Sequence, residues 1–362
     1  MGTIKQNFAN NVETGGTFDA QDLTGTIPAA NIANSSLSDI TTVPPTASGG
    51  DLIQSVASDP PSPDFGDIWY NSTEQKIKLK TQSAGSWATG GNLNTSRRWM
   101  GTSGTQTAAL AFGGDPPTTG ATESYNGTSW TEVNDLNTAR YGLTGAGTVD
   151  TASLAITGYD PIPTYTNLTE SWNGTNWTEV NDTNTARFGA AAAGTQTSAL
   201  VFAGEIPPNT VNTETWNGTS WTEVNNMNTA RKYQGSAGAD NTSALGFGGQ
   251  STTNLGVTES WNGTSWTEVN DLNTTRTSLQ GSAGIQTSAL AFGGEATVAQ
   301  SLTEQWNGTS WTEVADLSTA RYNMGGSGTT SAALGFGGAT PSISTATEEW
   351  TATTPNQSIQ GS

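Results

Sequence analysis

Short apolar strings recur along this chain at fixed places, separated by Gly, Asn, Thr and Ser. One string ends near Phe112, Ile156, Phe202, Phe247, Phe292 and Phe336, and a glycine lies within two residues after each. An aromatic pair five residues apart comes next: Tyr125/Trp130, Trp172/Trp177, Trp216/Trp221, Trp261/Trp266 and Trp306/Trp311. Asn-Gly lies inside every pair, as in Asn217-Gly218, and supplies the left-handed backbone of a tight hairpin. The units align on one arginine, at Arg97, Arg140, Arg187, Arg231, Arg276 and Arg321, so the period is 43 to 47 residues. Four strands per unit follow: one after the arginine, one through Ala-Leu-x-Phe, one carrying Thr-Glu-x-Trp and one carrying Trp-Thr-Glu-Val. A period of this length with strand content predicts an all-β propeller.

The ends of the repeat predict how the ring shuts. Trp87 lies ten residues before Arg97, as Trp130 lies before Arg140, so residues 84–90 are a fourth strand without its first three. Residues 321–350 supply three strands and lack the fourth. Joining the two hides two sheet edges and gives six blades; seven require the hairpin predicted at 67–81 to enter the ring. The domain reading is therefore an extended arm with a Pro-rich linker over 1–62, a β-hairpin module over 63–83, a six-bladed propeller over 84–352 and a tail over 353–362.

Composition narrows the chemistry. The apolar fraction is only 33%, but there are 13 Trp. Each buried Trp removes roughly 150–250 Å² from water, about 4–6 kcal/mol gross. Cys and His are absent, which excludes disulfides, zinc fingers, iron–sulfur clusters, thiol nucleophiles and a Ser-His-Asp triad within the chain. The net charge of −19 disfavours nucleic acid and anionic membranes as partners, and no EF-hand spacing supports calcium. No cofactor or metal is expected. Residues 1–6 precede no apolar core, and no apolar run reaches membrane-spanning length, so the expectation is a cytoplasmically made protein with no membrane insertion.

Several phrases carry a resemblance. Leu23-Thr24-Gly25-Thr26-Ile27-Pro28-Ala29 resembles phrases in tail-fibre and related virion proteins of tailed bacteriophages, and Gly66-Asp67-Ile68-Trp69-Tyr70-Asn71 with Lys76–Lys80 is similar to a short β module of such proteins. The arginine, the Gly-Gly-tailed strand and the aromatic pair resemble the kelch repeat of galactose-oxidase-like propellers. Thr157-Gly158 and Ala203-Gly204 depart from the double glycine, and Asn-Gly-Thr-Ser-Trp is also similar to the Asp-box turn of sialidases.

Together these resemblances imply a non-enzymatic phage structural protein of tail-fibre or capsid-appended type, resident on the particle surface. Residues 1–60 would contact other virion proteins, as a homotrimer where the fibre likeness extends that far. The propeller would meet a host cell-surface glycan or protein. The alternatives are a cellular kelch-type interaction module and, last, a sialidase-like glycosidase in which Tyr141, Tyr233 or Tyr322 stands near the arginines. Galactose-oxidase chemistry is excluded because it needs His and Cys.

Three repeated features are candidate sites. The six arginines form either an anion-binding ring near one end of the central channel or buried pairs with a repeated glutamate such as Glu132, Glu179, Glu223, Glu268 or Glu313. Asn126, Asn173, Asn217, Asn262 and Asn307 match glycosylation acceptors, but their turn role explains them. The segments that vary most between units, 115–121, 159–168, 205–212, 250–257, 295–302 and 339–346, are the expected recognition surface.

Overall fold

The computed structural model describes residues 54–58, 68–80, 85–160 and 164–352, with the backbone alone of 356–359. The arm and its Pro-rich linker therefore lie, apart from 54–58, outside the described residues. The chain divides into two units, residues 85–352 and the segments on either side of them.

The smaller unit contains the expected hairpin. Ile68–Asn71 pairs with Lys76–Lys80, Ile68 opposite Leu79. The Asn71 side chain closes the turn by accepting from Thr73 N (3.1 Å) and Glu74 N (3.0 Å). Two neighbours were not legible in the sequence. Gln54–Val56 adds a parallel strand on one side, and Asn356–Ile359, read as tail, adds an antiparallel strand on the other. The hairpin thus belongs to a sheet of its own, not to a seventh repeat of the larger unit.

The larger unit is all-β and propeller-like: six four-stranded antiparallel sheets that follow the sequence repeat. The first is built from Gly101–Gly104, Ala109–Phe112, Thr122–Tyr125 and Trp130–Val133. The next four repeat this order. The sixth takes Gly325–Gly328, Ala332–Phe336 and Thr347–Thr351 from the C-terminal end and Ser86–Thr89 as its fourth strand, with Trp87 opposite Trp350. The strand after each arginine is innermost. Each innermost strand neighbours the next, and the sixth neighbours the first.

Tryptophans of the outermost strands fill the seams. Trp177 packs on Phe112 of the sheet before it, with ring centroids 4.9 Å apart. Trp266 meets Phe202 at 4.8 Å and Trp311 meets Phe247 at 4.8 Å. Trp221 finds Ile156 where the others find Phe. The series continues across the chain ends: Trp130 meets Phe336 at 4.7 Å and Trp87 meets Phe292 at 4.8 Å. The indole N–H donates across five of these seams, as from Trp177 to Thr122 Oγ1, Trp130 to Thr347 Oγ1 (both 3.1 Å) and Trp87 to Thr303 Oγ1 (3.0 Å), whereas that of Trp221 is buried without a partner among the described residues. At those five, seam packing and a satisfied N–H come from the same side chain.

The two departures from the double glycine keep its backbone. Thr157 (φ 58°) and Ala203 (φ 56°) take the left-handed conformation that Gly113 (φ 66°) holds elsewhere. In the second sheet the segment expected as a loop over 159–168 is largely strand, because Ala152–Asp160 and Thr164–Trp172 extend outward and pair Tyr159 with Tyr165.

Candidate functional site

The six repeated arginines are the first candidates, and the fold buries all of them. Each pairs with the glutamate of its own sheet's third strand: Arg97–Glu123 (2.9 Å), Arg140–Glu170, Arg187–Glu214, Arg231–Glu259 (3.3 Å), Arg276–Glu304 (2.7 Å) and Arg321–Glu348 (2.7 Å). Other guanidinium N–H groups donate to backbone carbonyls, as Arg276 does to Gly293 O and Leu302 O, both at 2.9 Å, while the Nε atoms of Arg97, Arg276 and Arg321 are buried without a partner among the described residues. Burial lowers the pKa of Arg97, Arg187, Arg276 and Arg321, and pushes Arg231 down to about 10, against the opposing charge of the paired glutamates.

Of the two sequence readings, this arrangement is ion pairing, but with different partners. Glu132, Glu223 and their equivalents sit exposed on outermost strands. The buried glutamate's second oxygen accepts from the backbone N and Nδ2 of an asparagine three residues before the arginine, as from Asn273 at 2.7 and 2.9 Å. The phrase Asn-Thr-x-Arg is thus a latch that holds the linker entering each of the first five sheets, and in the sixth Ser318 takes the asparagine's place, donating from N and Oγ to Glu348 at 2.7 Å.

The acceptor-like asparagines have a structural use as well. Asn217 Oδ1 accepts from Thr219 N and Ser220 N, both at 2.9 Å, and the other four do the same.

None of the arginines lines the central cavity of about 260 Å³, which the six innermost strands surround. Its walls are mostly Gly, Ala, Ser and Thr, with Gln234 and Gln280 the longest polar side chains and no charged one. At one mouth, the second residue after each arginine takes a left-handed φ: Trp99, Gly142, Gly189, Tyr233, Ser278 and Asn323. Their backbones join in a circle. Gly142 N donates to Trp99 O (2.8 Å), Gly189 N to Gly142 O (2.9 Å) and Tyr233 N to Gly189 O (2.9 Å). Leu279 N donates to Tyr233 O (3.0 Å), Asn323 N to Ser278 O (3.2 Å) and Trp99 N to Asn323 O (3.1 Å), which returns to the start.

This mouth is where the variable segments begin. Backbone bridges link Arg98 to Asp115, Tyr141 to Tyr159, Phe188 to Glu205, Lys232 to Gln250, Thr277 to Glu295 and Tyr322 to Ala339. Neighbouring segments are clasped by side chains, as where Asn209 Nδ2 donates to Gln250 O (2.8 Å) and Asn254 Nδ2 to Ala296 O (2.7 Å).

Aromatic rings pave the side of the rim formed by the first four sheets. Phe188 is the hub, packed by Trp99, Tyr141, Tyr159, Tyr165 and Tyr233 at centroid distances of 6.3, 5.5, 6.0, 6.2 and 5.6 Å. Trp99 stacks on Tyr141 at 5.6 Å. Glycine makes the room: a Cβ on Gly142 would lie 1.8 Å from the Phe188 ring, and one on Gly189 2.7 Å from Tyr233. Two cations sit over these rings, Arg98 over Trp99 at 4.2 Å and Lys232 over Tyr233 at 4.9 Å. Burial raises the pKa of Tyr141, Tyr165 and Tyr233, with nearby carboxylates adding to the shift.

Away from this mouth, Tyr125 donates to Glu349 Oε1 at 2.5 Å, joining the first sheet to the sixth. Burial, then this bond, pushes its pKa up to about 12. The folded value lies above the ordinary value of about 10, so between the two the native state keeps a proton that the unfolded chain releases. Stability is therefore full below about pH 10 and falls as pH rises towards about 12. Tyr125→Phe should flatten the decline of the urea midpoint between about pH 10 and about pH 12 relative to wild type.

The arrangement is equipped for binding by ring faces and a few charges on a stiff scaffold. No protein-family model matches the chain, and no curated protein is significantly similar to it.

Proposed function

We propose that this chain is a non-enzymatic structural protein of a tailed-bacteriophage particle, with a closed, six-bladed, kelch-like propeller. Residues 1–60 anchor it to other virion proteins, and the propeller presents its variable rim to the host surface. One observation carries the reading. The repeated Trp, Arg, Glu and Asn residues are consumed by seams, latches and turns, whereas what differs between units gathers at one mouth of the ring. A surface whose sequence varies on an invariant frame is what recognition requires. The phage assignment rests on the fibre-like phrases of residues 20–90. Burial of all six repeated arginines takes from the glycosidase alternative the exposed arginine cluster it needs.

The test is mass spectrometry of purified particles of the source virus, together with labelling of host cells by the recombinant chain. The protein is expected in the particle and on susceptible cells. Its absence from the particle overturns the structural assignment.

A further inference from the structure

The Lys and Arg residues of the larger unit have unequal fates. There are eight: the six latch arginines, Arg98 and Lys232. The six are buried in ion pairs, and Lys232 is bound to Glu205 at 2.7 Å. Arg98 alone of the eight has no carboxylate partner among the described residues. Its Nε is shielded from solvent and unpartnered, and so is the Nε1 of Trp99 beneath it. Both cations outside the latches stand on the aromatic side of the rim. A solvated surface charge would have no reason to collect there, in a protein with a net charge of −19.

From this geometry we infer that the rim formed by Arg98, Trp99, Tyr141, Tyr165 and Phe188 is a saccharide-binding site that takes a sugar bearing a carboxylate. This deepens the proposed host-surface role and rests on it for its biological setting. Half-buried rings held in place by a buried hub offer flat faces to the C–H faces of a pyranose at little entropic cost. The Tyr141 hydroxyl adds a donor and acceptor beside those faces, whereas the Tyr165 hydroxyl donates to Glu205 and offers a ligand only its acceptor side and its ring. Arg98 supplies a planar fork for one carboxylate, already stacked on an indole, which fixes its orientation.

The charge balance selects the ligand further. A lone open guanidinium in a strongly acidic protein suits an anionic group at a single point along a mostly neutral glycan. A polyanion would meet repulsion from the rest of the surface. The site also breaks the six-fold repeat. The fifth and sixth sheets carry Thr277-Ser278 and Tyr322-Asn323 where the first and fourth carry Arg98-Trp99 and Lys232-Tyr233. A single ligand therefore has a single orientation.

The experiment uses the full chain against a panel of bacterial surface oligosaccharides, half with uronate or sialate residues and half neutral, followed by calorimetry on a retained member. Acidic members should be retained and neutral ones not. Arg98→Gln should weaken binding about ten-fold or more, with Arg98→Lys recovering part of it, and Tyr165→Ala should weaken it several-fold. The two Arg98 variants should keep the wild-type melting temperature, so their loss of binding reports on the carboxylate contact and not on folding. Retention of no acidic member, or binding indifferent to both Arg98→Gln and Tyr165→Ala, overturns the inference. Host-cell labelling separates it from the broader reading. Cells labelled equally by wild type and Arg98→Gln reject this site and leave the host-surface role standing. Acidic glycans bound in solution with no cell labelled reject the role and leave the site standing.

Discussion

Glu304→Ala is expected to cost about 3–5 kcal/mol, the range for removing one partner of a buried ion pair. The substitution leaves the Arg276 guanidinium, paired at 2.7 Å in the native protein, with two carbonyls and no counter-charge. It also strips the acceptor from Asn273 N and Nδ2, so the linker entering the fifth sheet comes loose. Glu304→Gln keeps an acceptor for Asn273 and removes only the charge, and should fall between wild type and Glu304→Ala. In a double-mutant cycle, Arg276→Met with Glu304→Ala should lose clearly less than the sum of the two single substitutions, since it leaves no unpaired charge. Urea denaturation of the four proteins measures this. Additivity would mean that the latch is not a coupled unit.

The second large effect is expected from removing residues 1–90. That deletion takes away Ser86–Thr89 and exposes Thr347–Thr351 as an open edge. It also empties the seam where Trp87 meets Phe292 (4.8 Å) and Trp350 (5.5 Å) and donates to Thr303. An unpaired edge beside an apolar gap invites pairing between copies. The truncated protein should therefore run as oligomers or aggregate on size-exclusion chromatography and lose its cooperative melt. Removing the indole alone tests the packing share: Trp87→Ala should cost about 3 kcal/mol, the low end for such truncations because the ring keeps some exposure.

The repeat made the sheets, the strand order and the shared sixth sheet legible, because each strand carries its own cue: Arg before the first, Gly after the second, Trp in the third and fourth. The glutamate partner was not legible. Glu259 and Glu268 each occur once per unit with the same period, and simple alternation does not separate them. What decides is that Glu259 lies on a strand with neighbours on both sides, whereas Glu268 lies on the outermost strand and faces water. The aromatic rim was missed for a different reason. Trp99, Tyr141, Phe188 and Tyr233 fall just after the arginines at positions with no repeated residue, and only the ring brings them together. Comparing the residues that follow each arginine, rather than those that recur, would have revealed an aromatic-rich half and a polar half. The strand Asn356–Ile359 lacked any such cue, since its partner Lys76–Lys80 lies far back in the chain.

In the proposed closed propeller the two ends of the repeat anneal into one wheel, and the absence of cysteine makes this directly measurable. Ser86 and Thr351 face each other across the shared sheet and both are exposed, so Cys at both positions would stand about 4.5–5.5 Å apart at the Cα atoms. Treatment of the folded Ser86→Cys/Thr351→Cys protein with a short bismaleimide should give a near-complete link within one chain, lost when the label is added in denaturant. No link, or links only between chains, would contradict the closed ring.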